Sequence, residues 1–214
     1  MSKRQKYNLF GSRIIKSFSF QEQELIADIL HLHCKDKNIE LDATYSIGKF
    51  YRQEHKDKQL IKPPIYKFDL SPQLEDVKQS CSTNLPLQND TINVMMFDPP
   101  FMFEKRIREN NNIQKKRFTM YENGFDELKK HYTGTLKEAY RILKKNGILI
   151  FKCQDFTDSK TTLTHCLVYQ WATIIGFYAK DLFILLSKGA IANKNLTQRH
   201  ARKYHSYFFV FVKK

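Results

Sequence analysis

The sequence predicts an α/β fold with a mostly parallel sheet and helices on both faces of that sheet. Segments of helical periodicity alternate with short apolar runs for most of the 214 residues, and this alternation is typical of parallel sheets with crossover helices. Residues 92–97, for example, are apolar apart from Asn93 and have the length of a buried strand. Ligands of such proteins bind where strands end, and the polar residues at predicted strand ends are Asp42, Asp69, Asp98 and Gln154.

The individual elements follow from hydrophobic periodicity and from residues that begin or end helices. Leu25, Ile26, Ile29 and Leu30 share one face of a predicted helix, and Ser19 precedes this helix as a candidate cap. The predicted helices span residues 21–33, 49–53, 74–81, 128–143 and 163–176, and the predicted strands span 39–44, 65–69, 92–97, 148–152, 183–186 and 207–212.

The chain is strongly basic, with 36 Lys and Arg against 22 Asp and Glu and a formal net charge of +14. A lysine-rich genome composition is one explanation, so the distribution of charge is more informative than the total. No acidic residue precedes Glu22 or follows Asp181, although basic residues are frequent in both terminal segments. This asymmetry predicts a surface that faces a polyanion such as a nucleic acid.

Composition excludes several other classes of protein. No run approaches the ~20 apolar residues of a membrane span, and the N-terminus lacks the apolar stretch of a secretory signal. The four cysteines are scattered without metal-ligand spacing, which predicts free thiols, no disulfide scaffold and no metal site. We therefore expect a single cytoplasmic domain over residues 1–214, without membrane association.

Residues 98–101, with the sequence Asp-Pro-Pro-Phe, carry the strongest chemical signal, and they directly follow the apolar run 92–97. A proline has a fixed φ angle and no amide donor, so this turn offers two acceptors, the Asp98 carboxylate and the Pro99 carbonyl. The exocyclic amino group of a nucleobase has two N–H donors beside an aromatic face, which the acceptors and the Phe101 ring would match. A strand followed by an ordinary Pro-Pro turn is the alternative interpretation.

This segment resembles the catalytic motif D-P-P-[FYW] of class I S-adenosylmethionine-dependent amino-methyltransferases. DNA adenine-N6 and cytosine-N4 enzymes carry the motif, and some RNA adenine-N6 and guanine-N2 enzymes share it. The resemblance implies a Rossmann-like fold with a mostly parallel seven-stranded sheet and S-adenosyl-L-methionine as the cofactor. It also implies that the acid and the first proline carbonyl bind the amine of a flipped base, while the aromatic ring stacks on that base. The implied catalytic residues are Asp98, Pro99, Pro100 and Phe101.

Three further positions resemble the cofactor site of the same families. Residues 41–51 resemble the loop in which an acid and a glycine-rich turn hold the methionine moiety, although Gly48 is the only glycine in this copy. An ordinary strand-to-helix turn is the alternative for this segment. Asp69 matches the acid that binds the cofactor ribose, and Asn84 falls where these enzymes place an adenine-contacting loop. The implied cofactor-binding residues are Asp42, Thr44, Tyr45, Gly48, Phe50, Asp69, Asn84 and Asp98.

Residues 143–155 and 199–211 resemble the closing segments of small DNA methylases of the phage or prophage type, and no separate target-recognition domain is expected. Residues 102–124 lack periodicity and mix basic with aromatic side chains, which predicts a mobile loop that contacts nucleic acid. A solvated charged loop is the alternative. The predicted nucleic-acid contacts are Lys105, Arg106, Arg108, Lys115, Lys116, Arg117, Arg199 and Arg202.

Together these features predict an enzyme that methylates an exocyclic amino group of a nucleic-acid base, with adenine N6 in DNA as the expected target. One alternative is an RNA base methyltransferase that acts on adenine N6 or guanine N2. Another is a non-catalytic, methyltransferase-like module that binds nucleic acid, because a loop with a single glycine could have lost the cofactor. The sequence leaves the oligomeric state open.

Overall fold

The fold is built on an eight-stranded sheet with helices on both faces. A computed structural model describes residues 14–36, 38–52, 60–101, 124–157, 160–187, 189 and 199–214. The strands of the large sheet are β1 (Phe18–Ser19), β2 (Leu41–Asp42), β3 (Tyr66–Asp69), β4 (Lys78–Gln79), β5 (Ile92–Phe97), β6 (Leu143–Cys153), β9 (Phe177–Leu186) and β10 (His205–Lys213); β7 (Phe156–Thr157) and β8 (Thr161–Thr162) form a separate pair. The α-helices are α1 (Glu22–His33), α2 (Phe125–Ile142) and α3 (Thr164–Ile175).

The strand order is β1-β9-β10-β6-β5-β2-β3-β4. All neighbours from β6 to β4 are parallel, whereas β10 lies antiparallel between β6 and β9. The chain first builds outward from β2 through β3 to β4 and then returns to place β5 on the other side of β2. This reversal between β2 and β5 is the topological switch point at which open α/β sheets bind ligands.

Several boundaries differ from the sequence prediction. An eighth strand is present because β1 pairs in parallel with the edge of β9. The predicted helix over 74–81 is wrong, since this polar segment instead contributes β4 to the opposite edge of the sheet. The predicted helix over 49–53 is a single 3-10 turn, Lys49–Tyr51. Ser19 does not cap α1, because the cap is Gln21, whose backbone amide donates to the Ser19 hydroxyl over 3.0 Å.

Alternation along the central strands distributes the core between the two faces of the sheet. On β5, Met95 belongs to the buried cluster that includes α2 and α3, whereas Val94 and Met96 belong to the cluster that includes α1. The same alternation on β6 places Ile148 and Ile150 on the α1 face. The predicted arrangement of helices on both faces is therefore confirmed. Among the residues that the structure describes, no helix has the length and apolarity needed to cross a bilayer.

Candidate active site

A cavity of about 420 Å³ opens at the carboxyl ends of β2, β3 and β5, beside the switch point of the sheet. Its wall combines the loop after β2, the ends of β3 and β4, the segment 98–101, and single side chains from α1, α2 and β6. A cavity of this size is within the range that binds small molecules and cofactors. The site therefore lies where a doubly wound fold is expected to bind its ligand.

The cavity brings together most of the residues that the sequence predicted for catalysis and cofactor binding. All four residues of the Asp-Pro-Pro-Phe segment line it, including Asp98, which is also a predicted cofactor contact. Four further predicted cofactor contacts line it as well: Thr44, Tyr45, Phe50 and Asp69. Three predicted cofactor contacts are not part of the lining, namely Asp42, Gly48 and Asn84. Each of these three instead shapes a segment that does line the cavity.

Asp42 lies behind the cavity wall and is 1% exposed. Its Oδ1 accepts hydrogen bonds from the Thr44 amide over 2.9 Å and from the Thr44 hydroxyl over 3.3 Å, and its Oδ2 accepts one from the Tyr51 hydroxyl over 2.8 Å. Burial raises the pKa of Asp42 from 3.8 to about 7, although these hydrogen bonds lower it. Asp42 thus fixes the loop after β2 from the protein interior.

Gly48 and Asn84 act through the backbone. Gly48 has a φ angle of +69°, and a Cβ atom on it would lie 2.6 Å from the hydroxyl oxygen of Tyr45. A glycine is therefore required here so that the Tyr45 ring can lie against the chain. The Asn84 amide donates to the Cys81 carbonyl over 2.9 Å, and its own carbonyl accepts from the Ser80 hydroxyl over 3.1 Å. These bonds close the turn that presents residues 80–82 to the cavity.

Asp69 joins two segments of the cavity wall. Its Oδ2 accepts a hydrogen bond from the Ser46 amide over 2.9 Å, and its Oδ1 accepts one from the Ser71 amide over 2.8 Å. A carboxylate oxygen can accept a second hydrogen bond. Asp69 can therefore bind hydroxyl groups of a ligand while it holds both segments in place.

The Asp-Pro-Pro-Phe segment is held by contacts to the loop after β2 and to helix α2. The Asp98 amide donates to the Thr44 hydroxyl oxygen over 2.7 Å, which connects the ends of β5 and β2. The buried Tyr132 of α2 donates its hydroxyl hydrogen to the Pro100 carbonyl over 2.8 Å. These contacts fix a segment whose prolines cannot donate hydrogen bonds of their own.

We expect the Tyr132→Phe variant to lose about 1 kcal/mol of stability, since a buried hydrogen bond contributes about 0.5–1.5 kcal/mol. The unpaired Pro100 carbonyl should also loosen the segment and lower activity about tenfold, because modest misplacement of reacting groups is costly. Urea unfolding measures the change in stability, and initial rates of the methyl transfer that the sequence predicts measure the change in activity. Tyr140→Phe is the matched control on α2, since its hydroxyl donates to the Lys214 carbonyl outside the cavity wall. Equal losses of activity in the two variants would contradict a specific role of the Tyr132 hydroxyl in holding the segment 98–101.

Lys152, Glu22 and His131 also line the cavity. None of them is assigned a role in the site from the sequence, although Lys152 belongs to the segment 143–155 that resembles small DNA methylases. The Lys152 Nζ atom lies 3.1 Å from Asp98 Oδ2 and 2.7 Å from Glu22 Oε1. Burial alone would lower the pKa of Lys152, but the two carboxylates outweigh this effect and raise the pKa above its usual value. Burial lowers the pKa of His131 to about 4, so its ring is neutral at pH 7.

The predicted nucleic-acid contacts are only partly within the described residues. Arg199 is exposed and Arg202 is half-buried in the segment that leads into β10. The side-chain amide of Gln154, directly after β6, donates to the carbonyls of Lys203 and His205 over 3.3 and 3.0 Å. These bonds hold the basic segment at the carboxyl end of β6. The remaining predicted contacts lie outside the described residues: Lys105, Arg106, Arg108, Lys115, Lys116 and Arg117.

Across the described ranges, no group of three or more His, Cys, Asp or Glu side chains is arranged to hold a metal ion. The cysteines in these ranges, Cys34, Cys81, Cys153 and Cys166, are free thiols.

Comparison with solved structures identifies the class of fold. A candidate sarcosine dimethylglycine methyltransferase from Galdieria sulphuraria matches with a TM-score of 0.51 and 11% identity, over 89% of this chain and 84% of that chain. A complex between a methyltransferase activator and a candidate methyltransferase from Haloferax volcanii matches with a TM-score of 0.50 and 13% identity, over 82% and 83% of the two chains. The chain has the Rossmann-like class I methyltransferase fold, as the sequence predicted.

A candidate DNA modification methylase from Thermus thermophilus also matches, with a TM-score of 0.41 and 15% identity, over 63% of this chain and 52% of that chain. The chain spans about half the length of the Thermus thermophilus structures that it matches. No protein-family model and no curated protein matches the sequence. Function therefore has to be argued from the site.

Proposed function

We propose that this protein is an S-adenosylmethionine-dependent methyltransferase that modifies an exocyclic amino group of a nucleic-acid base, specifically adenine N6 in DNA. The observation that carries the proposal is that Asp98, Pro99 and Phe101 line the same cavity as Asp69 and the loop after β2. An amine-binding segment and a candidate cofactor site thus share one space of about 420 Å³.

The residues present fit S-adenosyl-L-methionine. Asp69 offers carboxylate oxygens for the ribose hydroxyls, the loop around Thr44 and Tyr45 would face the methionine moiety, and residues 80–82 would face the adenine. When bound, this cofactor supplies an electrophilic methyl group on a sulfonium. No metal ion and no covalent intermediate are required for direct transfer to an amine.

The segment after β5 matches a planar aromatic amine. The Asp98 carboxylate and the Pro99 carbonyl would each accept one N–H of the amine, which leaves the nitrogen lone pair for the methyl group. Phe101 would stack on the base. Pro99 and Pro100 lack amide hydrogens, so neither proline can itself donate to these acceptors.

The charge around Asp98 favours an acceptor that is neutral at pH 7. Alkyl amines are protonated at this pH, with a pKa near ~10.4 for a lysine side chain, and they need a base before they can react. The Asp98 carboxylate already pairs with the Lys152 ammonium, which makes it a poor base. An exocyclic amine of adenine carries no charge, so it needs no deprotonation before the transfer. The methylated nitrogen is then cationic and strongly acidic, and it would release its proton to the Asp98 carboxylate or to water.

The choice of a nucleic acid as the substrate is supported by the net charge of +14 and by the basic segment around Arg199 and Arg202 at the same edge of the sheet. The resemblance of residues 143–155 and 199–211 to small DNA methylases supports DNA rather than RNA as the substrate. We further propose that the basic segment within 102–124 contributes phosphate contacts.

The decisive test is to incubate the purified protein with isotope-labelled S-adenosyl-L-methionine and either unmethylated DNA or unmodified RNA. Mass spectrometry of the digested polymers then identifies the modified nucleoside. N6-methyladenine in DNA is the expected product. Modified RNA alone would select the RNA alternative, and cofactor binding without transfer to either polymer would contradict the proposal. A folded protein that does not bind S-adenosylhomocysteine in calorimetry would support the non-catalytic module instead.

A further inference from the structure

The side chain of Lys152 occupies an unusual position at the base of the cavity. The residue is 9% exposed, and its ammonium lies between the carboxylates of Asp98 and Glu22. Three aromatic rings surround the same ammonium, with centroids 5.3 Å away for Phe50 and Phe101 and 5.5 Å away for Phe208. Attraction between a cation and aromatic faces is strongest where water is excluded.

The sheet explains why these groups meet. Phe97 of β5 pairs with Phe151 of β6, so Asp98 and Lys152, one position later on each strand, lie side by side. Lys152 is in phase with Ile148 and Ile150, which point to the α1 face. Glu22 stands in the first turn of α1 on this face. The register of the sheet and the packing of α1 therefore bring the side chains of Asp98, Lys152 and Glu22 into contact.

We infer that Lys152, anchored by Glu22, is the positioning residue of the site: it orients the Asp98 carboxylate and the Phe101 ring for the acceptor amine. This inference rests on the proposed function, because the acceptor amine belongs to it. The ammonium engages Oδ2 of Asp98 over 3.1 Å and so fixes the orientation of the carboxylate that would accept an N–H of the amine. Its contact with the Phe101 ring fixes the stacking surface relative to that carboxylate.

Stability alone is a weak reason for this arrangement. Transfer of an ammonium and two carboxylates from water costs free energy that their mutual attraction only partly returns. Apolar side chains in the same position often give equal or greater stability. Here the charges converge on the side chain proposed to bind the substrate, at the wall of the cavity. Their position is accounted for if the carboxylate must remain ionised and fixed while a base enters.

The test compares Lys152→Met and Lys152→Arg with the wild-type protein. Methionine keeps the length of the side chain without its charge, and we expect kcat to fall about 100-fold, the loss typical of misplaced reacting groups, with little change in S-adenosylhomocysteine affinity. Arginine keeps the charge and should recover part of kcat. In protein labelled with ¹³C-aspartate, the Asp98 carboxyl carbon should titrate at higher pH in the methionine variant, because the neighbouring ammonium is gone.

Lys213→Met is the matched control. The Lys213 Nζ atom also pairs with an aspartate, Asp90, over 2.7 Å and lies 5.0 Å from the centre of the Tyr140 ring. It stands at the far end of the antiparallel strand β10, away from the carboxyl end of β6. This variant should lose stability but keep kcat and the Asp98 titration. Glu22→Gln leaves the Lys152–Asp98 pair intact and should lower kcat less than Lys152→Met does.

The outcomes separate this inference from the proposed function. If the wild-type protein methylates no nucleic acid, the proposed function fails, while the Asp98 titration still reports whether Lys152 controls the carboxylate. An unchanged kcat and an unchanged titration in Lys152→Met would overturn the inference. So would arginine and methionine variants of equal kcat. If Lys152→Met does not fold, Glu22→Gln carries the test, and wild-type kcat in that variant would overturn the inference.

Discussion

Asp98→Ala is expected to reduce methyl transfer by about 1,000-fold or more, the size of effect seen when a group that binds the reacting atoms is removed. The variant loses the carboxylate that would align the amine. It also removes one of the two carboxylates that pair with Lys152 and leaves only Glu22. The hydrogen bond from residue 98 to the Thr44 hydroxyl is made by the backbone amide, so the end of β5 should keep its position. Single-turnover rates on unmethylated DNA measure the loss.

Cofactor affinity and fold should survive this substitution, because Asp69 and the loop after β2 are untouched. Asp98→Asn and Asp90→Asn form a matched pair, since each removes one aspartate charge from a lysine partner, Lys152 in the first case and Lys213 in the second. Only the change at position 98 should affect transfer. Methyl transfer that persists in Asp98→Ala, or an equal loss in Asp90→Asn, would exclude Asp98 from the reaction.

The sequence predicted the parts of the site that depend on local order. The Asp-Pro-Pro-Phe segment directly follows an apolar run, and its position at a strand end follows from the alternation of elements along the chain. The structure adds that Thr44, at the end of the neighbouring strand β2, and Tyr132, on α2, hold this segment in place. These contacts depend on strand register and helix packing, which the amino-acid pattern near each residue does not contain.

Lys152 marks the limit of the sequence prediction more clearly. Its phase with Ile148 and Ile150 places it on a buried face, and a lysine is almost never fully buried without a partner. That signal predicts a partner but does not name it. Glu22 is 130 residues away in the chain and meets Lys152 only through the packing of α1 on the sheet. The error at Asp42 has the opposite sign: the sequence predicts a cofactor contact, but this strand-end acid lies in the interior behind Thr44.

The burial of Asp42 leads to a second large expected effect, on the pH dependence of stability. Its pKa is raised from 3.8 to about 7 in the folded protein, chiefly by burial and further by the charge of Asp98, against the hydrogen bonds from Thr44 and Tyr51. The folded state therefore binds this proton more tightly than the unfolded state. Its contribution to stability is complete below about pH 4 and is lost as the pH rises to about 7. The loss is on the order of 4 kcal/mol, from about 1.4 kcal/mol per pKa unit.

Asp42→Asn should remove this dependence, because an amide cannot ionise. The asparagine oxygen can accept the hydrogen bond from the Thr44 amide, and its NH₂ group can donate to the Tyr51 hydroxyl. Urea unfolding at several pH values should show the variant gaining stability relative to wild type between pH 4 and 7. Asp76→Asn is the control of opposite sign, because Lys67 lowers the pKa of this exposed carboxyl. Relative to this variant, the wild-type protein should gain a little stability as the pH rises through the acidic range. If the free energies of unfolding of Asp42→Asn and wild type changed in parallel with pH, Asp42 would ionise in the folded protein as easily as in the unfolded chain. The expectation that burial raises its pKa would then be wrong.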